Sequence, residues 1–338
     1  MTAPVRTERL DFDTPTLKRH RRWRAMKDHS ARWYVTIGGL AVLAAITLIF
    51  FYLGSVVAPM FQGASIEPVR EDRPAWMADA APAQLLVIEE QNEVALRLDA
   101  QGHARFFALA DGKLLKDIAL PLPEGAKIVS LAEDVPGSKR FVLGLDNGQA
   151  LVVEQEYRVS YPNNVKTIDP LLHYPLGEQP VTLDAEQKPL EHVGVSQNGS
   201  TWLLASSSGA ELDVLRISQT RNLMTGESSL DETRLQLPQL AQPIRSIVID
   251  PRHLWLYALS GDASVDVFDV RRQQLNGRYK LLKNNAKVTA VAPLLGGISL
   301  MIGDSQGGIG QWFMVRNEDG SADLQAIRQF QLSDGPIT

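Results

Sequence analysis

The sequence predicts an all-β array of four-stranded units behind one membrane-spanning α-helix. Three observations carry this. One long stretch near the N-terminus lacks any charge. Beyond it, short apolar runs recur in groups of four. The charge balance also changes sign across the uncharged stretch.

The bulk numbers set the bounds. The chain has 338 residues, room for about two domains at roughly 100 to 200 residues each. Hydrophobic residues make up 44% and charged residues 22%, which excludes a disordered or fibrous protein. There are no cysteines, which removes disulfides, thiolate metal sites, iron–sulfur clusters and cysteine nucleophiles. The formal net charge of -5 is the sum of two unlike parts. Residues 1–33 hold nine basic and four acidic side chains, or +5; the rest holds 25 and 35, or -10.

No residue from Trp33 to Ile66 is charged. Within this stretch Val35 to Ala58 reads VTIGGLAVLAAITLIFFYLGSVVA, and 13 of its 24 residues are Val, Ile, Leu or Phe. A helix of that length spans about 36 Å, against a hydrocarbon core of about 30 Å. Trp33, Tyr34 and Tyr52 sit near its ends, where aromatic rings favour the interface, and Pro59 follows as a stop. The apolar core is too long for a cleaved signal peptide, whose core runs to about 7–15 residues. A transmembrane helix is expected over 34–58, after a basic cytoplasmic tail at 1–33. The run LKRHRRWRAMK, from Leu17 to Lys27, precedes the span, while Arg70 and Arg73 after it are balanced by Glu67, Glu71 and Asp72. By the positive-inside rule the N-terminus is cytoplasmic and residues after about 61 lie outside. The basic run suits anionic headgroups better than nucleic acid, so no nucleic-acid partner is expected.

Residues 59–83 read as a linker, with small, charged and proline residues and no period. From 84 onward the texture is β. The first group of runs is QLLVI, EVALRL, ARFFAL and LLKDIAL. A second holds KIVSL, FVLGL and ALVVEQ; a third EHVGV, WLLAS, ELDVLRI and TRLQL. A fourth holds IRSIVID, WLYAL, SVDVFDV and GRYKLL; a fifth VTAVAP, SLMIG, IGQWFMV and LQAIRQFQL. The second and third runs are joined by tight turn sequences, GLDNGQALVV being one, as hairpins require. Group starts lie 43, 64, 53 and 44 residues apart. Repeated four-stranded units of about 40–45 residues predict a β-propeller-like array of about five blades over 84–338. The excess in the second group, Tyr161 to Pro189, reads as a proline-rich insertion. A β-sandwich is the alternative. The alignment of WLLAS with WLYAL, and of SVDVFDV with IGQWFMV, favours the propeller. Pro336-Ile337-Thr338 resembles the opening of a sixth group, compared with QPIRS at Gln242. The array is therefore expected to be incomplete, in a chain truncated at its C-terminus.

Motifs that suggest chemistry are weak here. Gly303-Asp304-Ser305-Gln306-Gly307 matches the G-x-S-x-G of a nucleophile elbow, but that motif needs a helix after the turn, and Gly308-Ile309-Gly310-Gln311-Trp312-Phe313 reads as strand. For the same reason Gly307, Gly308 and Gly310 make no dinucleotide loop. The histidines, at 20, 29, 103, 173, 192 and 253, form no metal-binding spacing, and His192 reads as a packed or edge residue. Asp262, Asp266 and Asp269 read as a solvated blade edge rather than a cation site. Asn198-Gly199-Ser200 has the form of a glycosylation sequon. Trp202 and Trp255, at matching group positions, read as core packing. No catalytic, cofactor-binding or metal-binding residue is assigned. Propeller lactonases and quinoproteins need polar residues converging from several blades, and no His, Asp or Glu recurs across the groups, so the chain is not expected to be an enzyme.

The segment RRWRAMKDHSARWYVTIGGLAVLAAITLIFFYLGSVVAPMFQGA, Arg21 to Ala64, resembles the first transmembrane region of the large phosphate ABC transporter permeases of proteobacteria. In that family an extracytoplasmic WD40- or propeller-like insertion follows the first span. The resemblance implies an inner-membrane location and a periplasmic array serving as a docking or regulatory module. It further implies a second permease subunit, a cytoplasmic ATPase and a periplasmic phosphate-binding protein as partners. The phosphate path and the ATPase-docking loop of the family would lie beyond Thr338, so none of their residues carries over. The other function the residues allow is an anchored periplasmic propeller scaffold for envelope assembly or signalling.

Overall fold

The computed structural model describes residues 15–61, 63, 74–78, 81–221, 228–282 and 286–337. The chain divides into two compact units, Met1–Asp72 and Arg73–Thr338.

The first unit is built on α1 (Pro15–Val57), a helix of 43 residues, or about 64 Å at 1.5 Å per residue. Proline suits a first helical position. Nothing stops the helix between Pro15 and the apolar run, because that segment is rich in Leu, Lys, Arg, Ala and Met and holds neither glycine nor proline. The helix therefore includes most of the basic segment as well as the apolar one. It gives way at Ala58 to a 3-10 turn, Ala58–Phe61, as Pro59 demands. The apolar side chains are exposed along its length, and the helix is long and apolar enough to cross a membrane. Its hydroxyls turn inward on the backbone. Thr36 Oγ1 donates to the Arg32 carbonyl and Thr47 Oγ1 to Leu43, each at 2.9 Å, and Ser55 Oγ to Tyr52 at 2.7 Å. Such bonds suit a lipid environment, which offers a hydroxyl no other partner.

The second unit is all-β, in five antiparallel sheets. Sheet 1 is β1 (Ala83–Ile88), β2 (Val94–Asp99), β3 (His103–Ala108) and β4 (Leu114–Ala119). Sheet 2 is β5 (Ile128–Glu133), β6 (Arg140–Leu145), β7 (Gln149–Ser160) and β8 (Thr167–His173), with β9 (Val181–Thr182) added beside β7. Sheet 3 is β10 (His192–Asn198), β11 (Thr201–Ser208), β12 (Glu211–Arg221) and β13 (Ser228–Leu235). Sheet 4 is β14 (Ile244–Ile249), β15 (Trp255–Ser260), β16 (Ser264–Asp269) and β17 (Gln274–Lys280). Sheet 5 is β18 (Val288–Pro293), β19 (Leu300–Asp304), β20 (Gly308–Arg316) and β21 (Ala322–Gln331). In each sheet the four strands lie in chain order, the meander of a propeller blade.

The stretch Tyr161 to Pro189 departs from the sequence expectation of an insertion. It supplies the fourth strand of sheet 2, β8, and the short β9. Pro170 hid β8 from the pattern. It stands opposite Tyr157 on an edge strand, where its missing N–H costs no ladder bond to a further strand. Leu176 and Leu183 from the same stretch, and Leu190 just after it, are buried in the core.

The core lies between sheets. Alternate residues of each strand point to opposite faces, so each blade presents one apolar set to the blade before it and another to the blade after. On β6, Phe141, Leu143 and Leu145 meet Leu96 and Phe106 of sheet 1, while Val142 meets Trp202 and Leu204 of sheet 3. On β11, Leu203 and Ala205 meet Leu256 and Ala258 of sheet 4. On β15, Tyr257 and Leu259 meet Leu300, Ile302 and Trp312 of sheet 5. Each of the four clusters is thus one blade–blade interface. An inner blade, with both faces apolar, has no fold of its own.

Two glycines mark where the packing is closest. A Cβ on Gly144 of β6 would strike Ser130 Oγ and come within 2.7 Å of Val193 on the next blade. Gly307, with φ +85°, closes the β19–β20 turn under the Ser333 carbonyl, where a side chain has no room.

Candidate interaction surface

The two outermost faces of the array differ in chemistry. Register identifies equivalent positions. Leu131 pairs with Leu143 in sheet 2, and Leu86 pairs with Arg97 in sheet 1. Ala95, Arg97 and Asp99 of β2 therefore occupy the places of Phe141, Leu143 and Leu145. The face that is apolar in sheet 2 is charged in sheet 1. Across it Arg97 stands opposite Arg105, and Arg105 opposite Asp117. Asp99 is 1% exposed and accepts from Arg105 Nη1 at 2.8 Å. Its other oxygen accepts the backbone N–H groups of Gln101, at 3.2 Å, and His103, at 2.9 Å. Asp117 accepts from Arg105 Nε at 3.0 Å and lies 3.1 Å from His103 Nδ1. Burial pushes the Asp117 carboxyl up, but the hydrogen bonds from Arg105 and His103 outweigh it and hold the group below the usual carboxylate range.

Residues 74–78 and Ala81 lie over this charged face. Trp76, in a 3-10 turn (Ala75–Met77), packs on Phe107 with ring centroids 5.3 Å apart. Its Nε1 donates to the Gly112 carbonyl at 2.9 Å, and Arg97 Nη2 donates to the Ala81 carbonyl. Small, charged and proline residues without a period predict a linker over this stretch. Its signal was Trp76 itself, a large aromatic among small and charged residues.

The far face of sheet 5 is different. Strand alternation points Met301, Ile309, Phe313 and Val315 away from sheet 4; Met301 and Ile309 stand where sheet 4 buries Tyr257 and Val265, whereas Gly303 and Gln311 replace Leu259 and Val267. Met301, Ile309, Phe313 and Val315 are only half-buried, and Phe330, opposite Ile309, is exposed. Ile337 covers the inner end of this face: its N–H donates to the Asp304 carbonyl at 3.0 Å, beside Gly303. Leu190, just before β10, makes the same bond to Leu145 at 3.1 Å. Thr338 lies outside the described residues.

The motif residues fall into structural roles. Ser305 is in the β19–β20 turn, its Oγ accepting the Lys287 N–H at 3.1 Å, and a strand follows rather than a helix. Gly307 closes that turn, and Gly308 and Gly310 are in the strand. Asp266 binds Arg278 through both oxygens, at 2.5 and 3.0 Å. Asp262 accepts from the Ser264 N–H at 3.0 Å and from Gln242 at 2.7 Å, and Asp269 accepts the Arg271 and Arg272 N–H groups at 3.0 and 2.9 Å. The three aspartates do not converge. His253 is buried with Nε2 3.2 Å from the Ser196 carbonyl, and burial pushes both it and His192 towards the neutral form. Asn198-Gly199-Ser200 spans the β10–β11 turn.

Trp202 and Trp255 are not at equivalent positions. Trp202 is fully buried toward sheet 2, whereas Trp255 packs partly buried against the sheet 4–sheet 5 cluster. The two runs align in letters but are offset by one residue in register, which turns one ring to the opposite face.

No protein-family model matches the chain, and no curated protein matches it. Solved structures similar to it include the β-propeller domain of Cps50 (Swd1) from Myceliophteria thermophila, at 11% identity and a TM-score of 0.46. KlHsv2 with loop 6CD replaced by a Gly-Ser linker is similar at 15% and 0.46, and Kluyvelomyces marxianus Hsv2 at 14% and 0.45. Each likeness covers 75% of this chain and 72% of the other. On its own geometry, five four-stranded meanders stacked face to face through four apolar interfaces, the second unit is a β-propeller-like array, carried by a chain with one N-terminal apolar helix.

Proposed function

We propose that this chain is a membrane-anchored, non-enzymatic docking module. The observation that carries the reading is the contrast between the array's outer faces. The first is charged and strapped by the Trp76 segment, while the fifth leaves Phe330 exposed and Met301 and Phe313 half-buried. An apolar blade face of this kind suits stacking against a further sheet. In this reading α1 crosses the inner membrane with its basic segment in the cytoplasm and the array in the periplasm.

The finer reading rests on the Arg21–Ala64 resemblance alone. In it the array belongs to a phosphate ABC import permease and docks or regulates the periplasmic phosphate-binding protein. A second permease subunit and a cytoplasmic ATPase complete the assembly. The test is uptake of radiolabelled phosphate by cells with residues 81–337 deleted in frame. Loss of uptake, restored by the intact gene, supports the permease reading. Unchanged uptake under phosphate limitation overturns it and leaves the scaffold for envelope assembly or signalling.

A further inference from the structure

Between sheets 4 and 5, beside the β16–β17 and β20–β21 turns, lies a groove of about 450 Å3. Trp255 and Met314, both packed against the core between these sheets, form its floor. Arg252, Arg271, Arg272 and Arg316 surround it. Across the groove the sheets are tied by Asn276 Nδ2, which donates to the Ala322 carbonyl at 2.9 Å.

Cations outnumber carboxylates around the groove, four arginines to one aspartate. Several surface cations elsewhere are matched: Lys116 with Asp169, Lys139 with Glu90, Arg158 with Glu156 and Lys166 with Glu93. At the groove Arg252 pairs with Asp250 at 3.3 Å and Arg272 with Asp269 at 3.8 Å. Arg271 and Arg316 have no ion pair among the described residues. Asp269 is the one carboxylate lining the groove, and one of its oxygens already accepts two backbone N–H groups. Asp319 on the neighbouring turn is taken up by Ser321, at 2.9 Å from its N–H and 2.6 Å from its hydroxyl. Two uncommitted guanidinium groups therefore border one concavity, on a part of the chain whose net charge is -10.

Guanidinium groups match carboxylate and phosphate geometry through paired donors. A single phosphate would leave most of a 450 Å3 groove to water, and a body lying on Trp255 and Met314 would fill it. We propose that this groove binds a polyvalent oxyanion, with two or more carboxylate or phosphate groups held by Arg271 and Arg316. The site is independent of which partner the anchored array serves.

The test uses the full chain in nanodiscs of zwitterionic lipid, titrated separately with tripolyphosphate and with citrate while tryptophan emission is read. The basic segment of α1 also attracts polyanions, so the Trp255→Phe variant isolates the signal of the groove. A saturable change is expected in the native chain, its groove component lost in Trp255→Phe and weakened at least about tenfold in the Arg271→Glu/Arg316→Glu double variant. It should fall further as salt rises from about 50 to about 500 mM. Tighter binding of tripolyphosphate assigns the ligand to phosphates, and tighter binding of citrate to carboxylates. The Arg271→Gln/Arg316→Gln variant gives the same comparison if charge reversal perturbs folding. No saturable change with either anion, or a change that survives unaltered in Trp255→Phe or in the double variant, overturns the proposal.

Discussion

Arg97 stands in the first sheet where Leu143 stands in the second, and that exchange separates a blade that ends the stack from one that continues it. Leu143 is buried against the blade before it. Arg97 instead lies under a strap of chain, bonded to the Ala81 carbonyl and set beside Asp99. Leucine at the Arg97 position would make the first face resemble an inner one. Terminal repeats of stacked folds use polar outer faces in the same way.

The strap should be measurable as stability. Trp76→Ala removes the contact with Phe107 and the bond to Gly112, and is expected to cost about 1–3 kcal/mol. Hydrogen exchange should rise first in β2 and β3. An unchanged melting temperature would mean that the segment only rests on the blade.

Acid should loosen this same face. The folded Asp117 carboxyl titrates below its ordinary value, so its contribution is present above about pH 4, the unfolded value, and is lost as pH falls through the folded one. Melting followed from pH 7 down to pH 2 should show this loss, and Asp117→Asn should remove that part of the pH dependence. An identical pH profile in the variant would contradict the assignment.

The open face of sheet 5 makes an opposite prediction for two similar substitutions. Phe313→Glu is expected to cost less than about 1 kcal/mol, because the side chain is not enclosed. Leu259→Glu, at 1% exposure on the face of sheet 4 that meets sheet 5, buries an unpaired charge and should unfold the array. Equal effects in urea titrations would mean that the fifth face is covered.

Trp202 tests whether the blade interfaces are the core. Its indole is 1% exposed between sheets 2 and 3. Trp202→Ala should cost about 3–5 kcal/mol through the cavity it leaves. Trp255→Ala, half-buried at a groove, should cost clearly less.

Much of this architecture was legible in the residues, for definite reasons. Hairpin joints such as Asp146-Asn147-Gly148 punctuate strongly alternating runs, so all nineteen runs read from the sequence correspond to strands. What failed to show was set by tertiary context. β8 contains Pro170, tolerable only because it lies on an edge. Trp202 and Trp255 align as letters, but only the register reveals opposite faces. Trp76 belongs to no periodic run and gains its role from Phe107, some thirty residues later. The groove was illegible because Arg252, Arg271 and Arg316 come from three separate turns and strand ends.

The central claim is that one helix anchors an array on the far side of a membrane from its basic segment. The chain has no cysteine, so single cysteines report without background. Ser30→Cys lies on α1 before the apolar run, and Ser200→Cys in the exposed β10–β11 turn. With a membrane-impermeant maleimide on intact spheroplasts, Ser200→Cys should label at once and Ser30→Cys only after permeabilisation. Labelling of both from outside, or of Ser30→Cys alone, would contradict the account.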